Sequence, residues 1–328
     1  METQPPLRSV VLNTAFVPPE FVEAHGLNRI WVLPEICQAE KSIAMGRCPA
    51  AVAVAGSTNV QHPLIQAVIC DQVRRAITYR TESSGESFTL YVPSTRTAAA
   101  LQWYAAELER LSKWLVRIGG CKLQPWAFAQ LTQGFNQLRR KLDHMRIVLP
   151  ASLFLSLQPP VNKKHPHPSL RPQPAQGSKT NPKIGILTGH LTNLHLALLQ
   201  EIESFGVHTV FLCGEPIPPT HVTIEVGPDV EKSIFELIAD QWLPQVPYLG
   251  ARPNTNFYTF LTNEIRKSQL DGLLVIRPVW CDHWDLELPI IKQRAGIPMS
   301  QVVLGCEPDP ISHALNRVSA LIEMVKKR

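Results

Sequence analysis

The sequence has no apolar run approaching the roughly 18 residues of a membrane span; the nearest, Ile147 to Leu157, is broken by Pro150 and Ser152. No membrane partner is expected. The opening stretch METQPPLRSVVLNT lacks a cationic segment leading into an apolar stretch and a small-residue cleavage site, so the expected location is cytoplasmic. Closely spaced cysteines are missing too: no two of the seven lie within four residues of each other, which disfavours zinc fingers and ribbons built on C-x2-C pairs. Their odd number and spread from Cys37 to Cys306 do not suit a secreted disulfide framework. Charged residues are few, 18% of the chain against a usual figure of about 25%. With 45% hydrophobic residues, the chain has material for a core, and global disorder is excluded.

What is abundant is proline, 29 of 328 residues. Seven of these fall in residues 158–182, QPPVNKKHPHPSLRPQPAQGSKTNP, together with four Lys/Arg and no Asp or Glu. Such a composition favours extended, solvated chain, so this stretch reads as a linker, exposed and the first site of proteolysis. Its four cations account for most of the formal net charge of +5 and leave 28 basic against 27 acidic residues elsewhere. A neutral folded part lacks the basic face of a nucleic-acid binder, and no nucleic-acid partner is expected. Since 328 residues exceed what one core usually organises, the linker divides the chain into an N-terminal domain, 1–157, and a C-terminal domain, 183–328.

Both parts alternate strands and helices. Ser9–Leu12 reads as a strand, Pro18-Pro19-Glu20 starts a short helix that Gly26 ends, and Arg29–Leu33 reads as the next strand. Gln66–Ile69 and Phe88–Val92 follow as strands, then helices over Thr97–Ile118 and Pro125 to about Ile147, which together suggest a helical hairpin. Beyond the linker come a strand from Lys183, a helix over Leu191–Ser204, a strand over Val207–Cys213 and helices near Val230–Gln241 and Thr255–Gln269. A strand over Asp271–Arg277, a helix near Trp284–Arg294, the apolar Met299–Leu304 and a helix from Ile311 complete the chain. The pattern implies an α/β fold of two Rossmann-like, doubly wound parallel-sheet domains with an added helical hairpin (about 97–147).

Ligands of open α/β sheets sit outside the carboxyl ends of the strands. Two Cys-Asp pairs fall there in an echoed context, Ala67-Val-Ile-Cys70-Asp71-Gln72 and Pro278-Val-Trp-Cys281-Asp282-His283. A thiolate at a helix start gains from the free N–H groups and the positive dipole end, which suits an anionic cluster; as inert alternatives, each cysteine is a buried apolar group and each aspartate an N-cap. Cys37 also follows a strand, and Cys48 in Gly-Arg-Cys-Pro competes with it. Other fingerprints are lacking. There is no G-x-G-x-x-G, no G-x-x-x-x-G-K-[ST] and no G-x-S-x-G. Gly189 reads as a tight-turn residue, and His190 and His195, five apart, as solvent-facing or helix-start residues. Cys121 and Cys213 are expected to lie away from any site.

In family order, the chain carries Phe16-Val-Pro-Pro-Glu20, Leu33-Pro-Glu-Ile-Cys37-Gln-x-x-Lys41-Ser42, Cys70-Asp71-Gln-Val-Arg74-Arg75, Cys281-Asp282 with Asp285 and Pro289, Gly296-Ile-Pro298 and Asn316-Arg317. In these it resembles the 2-hydroxyacyl-CoA dehydratase D-component family, relatives of benzoyl-CoA reductase subunits and double-cubane cluster proteins. The resemblance implies that Cys37, Cys70 and Cys281, with Cys48 as the alternative to Cys37, are the metal and cofactor ligands of a [4Fe-4S] or double-cubane iron-sulfur cluster. It implies one-electron reduction of an acyl-CoA thioester with elimination of water. The partners would be a second copy or a related subunit, in a homodimer or heterodimer, and an ATP-hydrolysing activator protein as electron donor. Within the same resemblance, a double-cubane-type reductase of small molecules and a non-catalytic partner subunit are the alternatives.

Overall fold

A computed structural model describes residues 9–30, 65–70, 86–157, 181–215, 217–227, 233–278, 282–304 and 309–327. Two four-stranded sheets organise them. The first contains β1 (Ser9–Asn13), β2 (Asn28–Ile30), β3 (Ile65–Cys70) and β4 (Glu86–Thr89) in the order β2-β1-β3-β4. The second contains β5 (Lys183–His190), β6 (His208–Glu215), β7 (Gly272–Pro278) and β8 (Met299–Leu304) in the order β6-β5-β7-β8. Every neighbouring pair is parallel, so the chain is α/β with parallel sheets, and the second half repeats the strand order of the first. A parallel strand covered on both faces must be apolar throughout. β7 meets this condition: Leu274 and Ile276 enter one core cluster while Leu273 and Val275 enter another, as side-chain alternation requires.

The helices are α1 (Pro19–Glu23), α2 (Ala98–Arg117), α3 (Pro125–Val148), α4 (Ala151–Ser156), α5 (Asn193–Ser204), α6 (Ile234–Gln241), α7 (Thr255–Ser268), α8 (Asp282–Ala295) and α9 (Pro310–Lys326). Their ends follow local chemistry. Thr97 caps α2 by accepting from the Ala100 amide at 3.3 Å, Ser233 and Glu236 form a capping box on α6, and Gly26, at φ +69°, turns the chain after α1. Among the described residues, no helix is long and apolar enough to cross a membrane.

β4 starts and stops earlier than the expected Phe88–Val92. The Tyr91 amide donates to Glu107 Oε2 at 3.1 Å, and the Thr89 carbonyl accepts from Arg110 Nη2 at 2.6 Å. Side chains of α2 thus satisfy the backbone where a longer ladder would have done so. The two helices expected as a hairpin also part company. α2 packs on α6, whereas α3 runs from α1 to β6 and α4.

Segments cross between the two sheets. The core cluster that holds Val10, Leu12, Tyr104, Leu108 and Leu111 also contains Val222, Ile224, Leu237, Ile238, Trp242 and Val246, all from beyond β6. Conversely, Ala151, Phe154 and Leu155 of α4 belong to the cluster under β5 and α5. Directional bonds lock this exchange: Trp242 Nε1 donates to the Ala15 carbonyl at 3.0 Å, and Asn136 Nδ2 donates to the Ile224 carbonyl at 2.7 Å. The region around Cys37 and Cys48, the segment after Cys70, residues 158–180, Cys281 and Cys306 lie outside the described residues.

Candidate functional site

At the carboxyl edge of the second sheet, β5 ends in Thr188-Gly-His190 and β6 in Cys213-Gly-Glu215. The register sets His190 opposite Glu215. Gly214 permits this approach, since a Cβ there would lie 2.4 Å from Thr188 Cγ2. These strand ends form one wall of a cleft of about 110 Å³. The opposite side comes from Val246 to Gly250, with Tyr248 set edge-on to Phe16 at 5.0 Å between ring centroids. Ala15, from the loop after β1, and Trp284, near the start of α8, complete the rim. The cleft therefore lies where the two sheets' units meet, beside the strand ends at which an open α/β sheet accepts ligands.

Its walls are mostly apolar, with Phe154, Phe211, Leu249, Phe257 and Trp284 among them. The polar groups gather at the strand ends. His190 is 4% exposed, and its Nδ1 lies 4.0 Å from Glu215 Oε2. The Thr188 hydroxyl is buried and has no hydrogen-bond partner among the described residues. An imidazole beside a carboxylate can hold or release a proton, and a dry hydroxyl can donate to or accept from a ligand.

Deeper in, charges are matched. Arg146 of α3, 2% exposed, donates to the Phe211 carbonyl at 2.9 Å, to Asp143 at 2.8 Å and to Glu264 at 2.6 Å. Burial opposes its charge, but the Glu264 and Asp143 carboxylates more than offset this and raise its pKa. For Asp143, burial likewise opposes the charge, and hydrogen bonds from Lys267 and Arg146 outweigh it, holding the carboxyl down to about 2. Cys213 lines the cleft as a neutral thiol, because burial pushes its pKa up to about 12. His221 is lowered by burial, with its Nε2 3.2 Å from the Gln245 carbonyl.

Cys37, Cys48 and Cys281 lie outside the described residues, and Cys70 is placed only as the end of β3, in register with Asn13. Cys121 is exposed. Cys213, expected away from any site, is instead in the cleft wall. His190, expected at the surface or at a helix start, is buried in the cleft. His195 does start a helix: it completes the cap of α5 with Thr192, and burial lowers its pKa to about 3. Thr188, His190 and Glu215 were missed. The available signal was a pair of strands ending in matched Thr-Gly-His and Cys-Gly-Glu triplets, which parallel pairing sets side by side.

No protein-family model and no curated protein matches this chain. Among solved structures it is similar to a manganese-bound periplasmic metal-binding protein of Candidatus Liberibacter asiaticus, at 8% identity over 96% of this chain and 99% of that one, with a TM-score of 0.24. It is also similar to the periplasmic zinc-binding protein TroA of Treponema pallidum, at 11% identity over 98% of each chain and a TM-score of 0.22. A third is a mutant of the laminin-binding adhesin Lmb of Streptococcus agalactiae, at 10% identity over 98% of each chain and a TM-score of 0.23.

These findings correct the resemblance drawn from short segments. No protein-family model, a dehydratase model included, matches the chain. Among the described residues, no group of three His, Cys, Asp or Glu is placed to hold a metal. The [4Fe-4S] or double-cubane cluster, the acyl-CoA dehydration, the related-subunit dimer and the ATP-hydrolysing activator fall with the family, and the cytoplasmic location, read only from an absence in the opening stretch, is withdrawn. The physical reason is that the quoted segments within the described residues include a helix start at Pro19-Glu20, another at Asp282 and the glycine stop at Gly296, which any α/β chain needs. At TM-scores of 0.22 to 0.24 the likenesses themselves confer no metal, compartment or partner on this chain.

Proposed function

We propose that this chain is a small-molecule-binding α/β protein whose ligand occupies the cleft at the carboxyl edge of the second sheet. The ligand is a compact organic molecule with an apolar body and one hydrogen-bonding head group. The observation that carries this reading is the meeting of the Thr188 hydroxyl, which has no hydrogen-bond partner among the described residues, with the His190–Glu215 pair in an otherwise apolar cleft. A buried hydroxyl without a partner costs about 1–3 kcal/mol, which a head group bonded to it after rotation of the Thr188 side chain toward the cleft would recover.

The test is a ligand-observed NMR screen of small aromatic and aliphatic alcohols, amines and carboxylates against the full chain. Compounds that bind are expected to lose roughly tenfold or more in affinity on Thr188→Val or His190→Gln, equivalent to about 1.4 kcal/mol. Binders indifferent to both substitutions, or no binder at all, would refute the cleft as the site.

We further propose that the chain is two Rossmann-like, doubly wound units, 1–157 and 183–328, joined by residues 158–182. The repeated strand order supports this division. Limited proteolysis is expected to cut first within 158–182, and the fragments are expected to elute together because segments of each unit pack in the other's core. Initial cleavage elsewhere would contradict the division.

A further inference from the structure

We infer that the outer edge of β8, with the flank of α9 beside it, is a docking groove for an extended acidic peptide of a partner protein, which adds to the second sheet as a further strand and sets a carboxylate against Arg317. The groove shares no lining residue with the cleft. β8 is an edge strand, paired with β7 alone. Its sequence, Met299-Ser-Gln-Val-Val-Leu304, holds no charge and no proline, and its register with β7 is unbroken. Charges, prolines, bulges and covering elements are the usual means of shielding an edge. The opposite edge uses them: the β5–β6 ladder has register shifts, β6 ends in Glu215, and α4 lies against it, with the Ala151 amide donating to Thr209 Oγ1 at 2.9 Å.

One bond fixes which backbone groups of β8 point outward. The Leu273 amide donates to the Pro298 carbonyl at 2.9 Å, so Pro298 faces β7, and backbone groups alternate sides along a strand. Ser300, Val302 and Leu304 therefore face β7 as well. Met299, Gln301 and Val303 turn their N–H and C=O groups outward, and no hydrogen bond from a described residue reaches those groups. These three residues are partly exposed, whereas Val302 and Leu304 are buried. A cavity of about 180 Å³ touches Gln301, Val302 and Val303 in succession, together with His313, Ala314 and Arg317 of α9. Consecutive strand side chains point to opposite faces, so a cavity that meets all three opens on the edge of the strand.

The charge of the occupant is set by α9. His313 and Arg317, one turn apart, are both exposed, and none of the described carboxylates forms an ion pair with Arg317. Asp309 is engaged as the cap of α9, accepting from the Ser312 amide at 3.1 Å, and Asp285 is engaged by Arg277 at 3.1 Å. The Ser300 hydroxyl donates to the Arg317 carbonyl at 3.3 Å, which holds this turn of α9 against β8. In strand addition, main-chain bonds supply affinity and alternate side chains supply selectivity. A peptide strand beside β8 bonds to the outward groups of Met299, Gln301 and Val303, and a glutamate or aspartate on its α9 side meets Arg317, with His313 a turn away.

The experiment presents the full chain with an array of end-capped hexapeptides on a valine/threonine background, each with glutamate at one position, and measures the best binder in solution by fluorescence anisotropy. Saturable binding is expected, weaker by roughly tenfold when the peptide glutamate becomes glutamine or when the protein carries Arg317→Gln. N-methylation of alternate peptide amides, those that face β8, is expected to abolish binding, and N-methylation of the intervening amides to leave it unchanged. Val303→Pro, which removes an outward N–H and no ladder bond, is expected to abolish binding with the fold intact by circular dichroism; Thr188→Val, in the cleft, is expected to have no effect. Should Val303→Pro fail to fold, the methylated peptides still decide the matter. No saturable binder, or equal loss from both methylation patterns, would overturn strand addition at β8. Wild-type affinity in Arg317→Gln would overturn the acidic class of peptide, and concentration-dependent self-association abolished by Val303→Pro would show a second copy on this edge and overturn the partner peptide.

Discussion

Arg139 and Arg146 lie two turns apart on one face of α3, and they grip different sheets' units. Arg139 meets Glu20 of α1 through two hydrogen bonds, at 2.9 and 3.0 Å, with its guanidinium 5.2 Å from the centre of the Trp242 ring. Arg146 meets the Phe211 carbonyl of β6 and Glu264 of α7. Both arginines are almost completely buried. α3 is thus a common strut, and the cleft between the units keeps its shape because the strut is charge-matched at each end.

Removing one partner of such a pair leaves the other charge buried alone. Arg146→Met is expected to lower stability by about 3–5 kcal/mol, read from urea unfolding, because Glu264, 4% exposed, loses its main partner. The double variant Arg146→Met/Glu264→Gln is expected to lose less than the single one. A double variant as unstable as the sum of both single changes would mean the two side chains do not act as a pair.

The buried His195 makes stability pH-dependent in a definite direction. Its pKa is near 3 in the folded chain against about 6.5 when unfolded. Between those values the unfolded chain binds a proton that the folded chain does not. Stability is therefore complete above about 6.5 and falls as the pH drops below it, by up to about 1.4 kcal/mol per pH unit. His195→Gln, which can keep the capping bond, is expected to lack this loss, so the variant's stability relative to wild type should rise from pH 7 to pH 5. A gap constant with pH would mean that the imidazole titrates normally.

Gly214 is required by the closeness of β5 and β6. In Gly214→Ala the new methyl meets Thr188 Cγ2, and overpacking of this kind costs about 1–3 kcal/mol. Thr188→Ser removes the opposing methyl while keeping the hydroxyl, so the double variant is expected to recover most of the lost melting temperature. No recovery would place the strain elsewhere.

The two cysteines of known setting should differ in reactivity. Cys121 is exposed, whereas the Cys213 thiol is held protonated by burial. Iodoacetamide at pH 8, followed by peptide mapping, is expected to label Cys121 in the native chain and Cys213 only after unfolding. Early labelling of Cys213 would show that the cleft floor opens.

The amino-acid sequence by itself determined the elements and their class. β5, α5 and β6 are legible because the apolar run, the helical periodicity and the Gly206 stop are local signals, and so is the Thr97 cap that starts α2. Alternation of such elements leaves parallel pairing as the available arrangement. Tertiary structure alone decided which faces meet. Arg139 finds Glu20 across 119 residues and Arg146 finds Glu264 across 118. Ile224, Ile238 and Trp242 pack against the first sheet's unit although they follow the second sheet's opening strands. The His190–Glu215 pair likewise exists only because β5 and β6 lie side by side in one register. Periodicity states that a residue faces a core, and helix caps state where an element ends; neither carries the identity of the partner, which depends on packing between segments far apart in the chain.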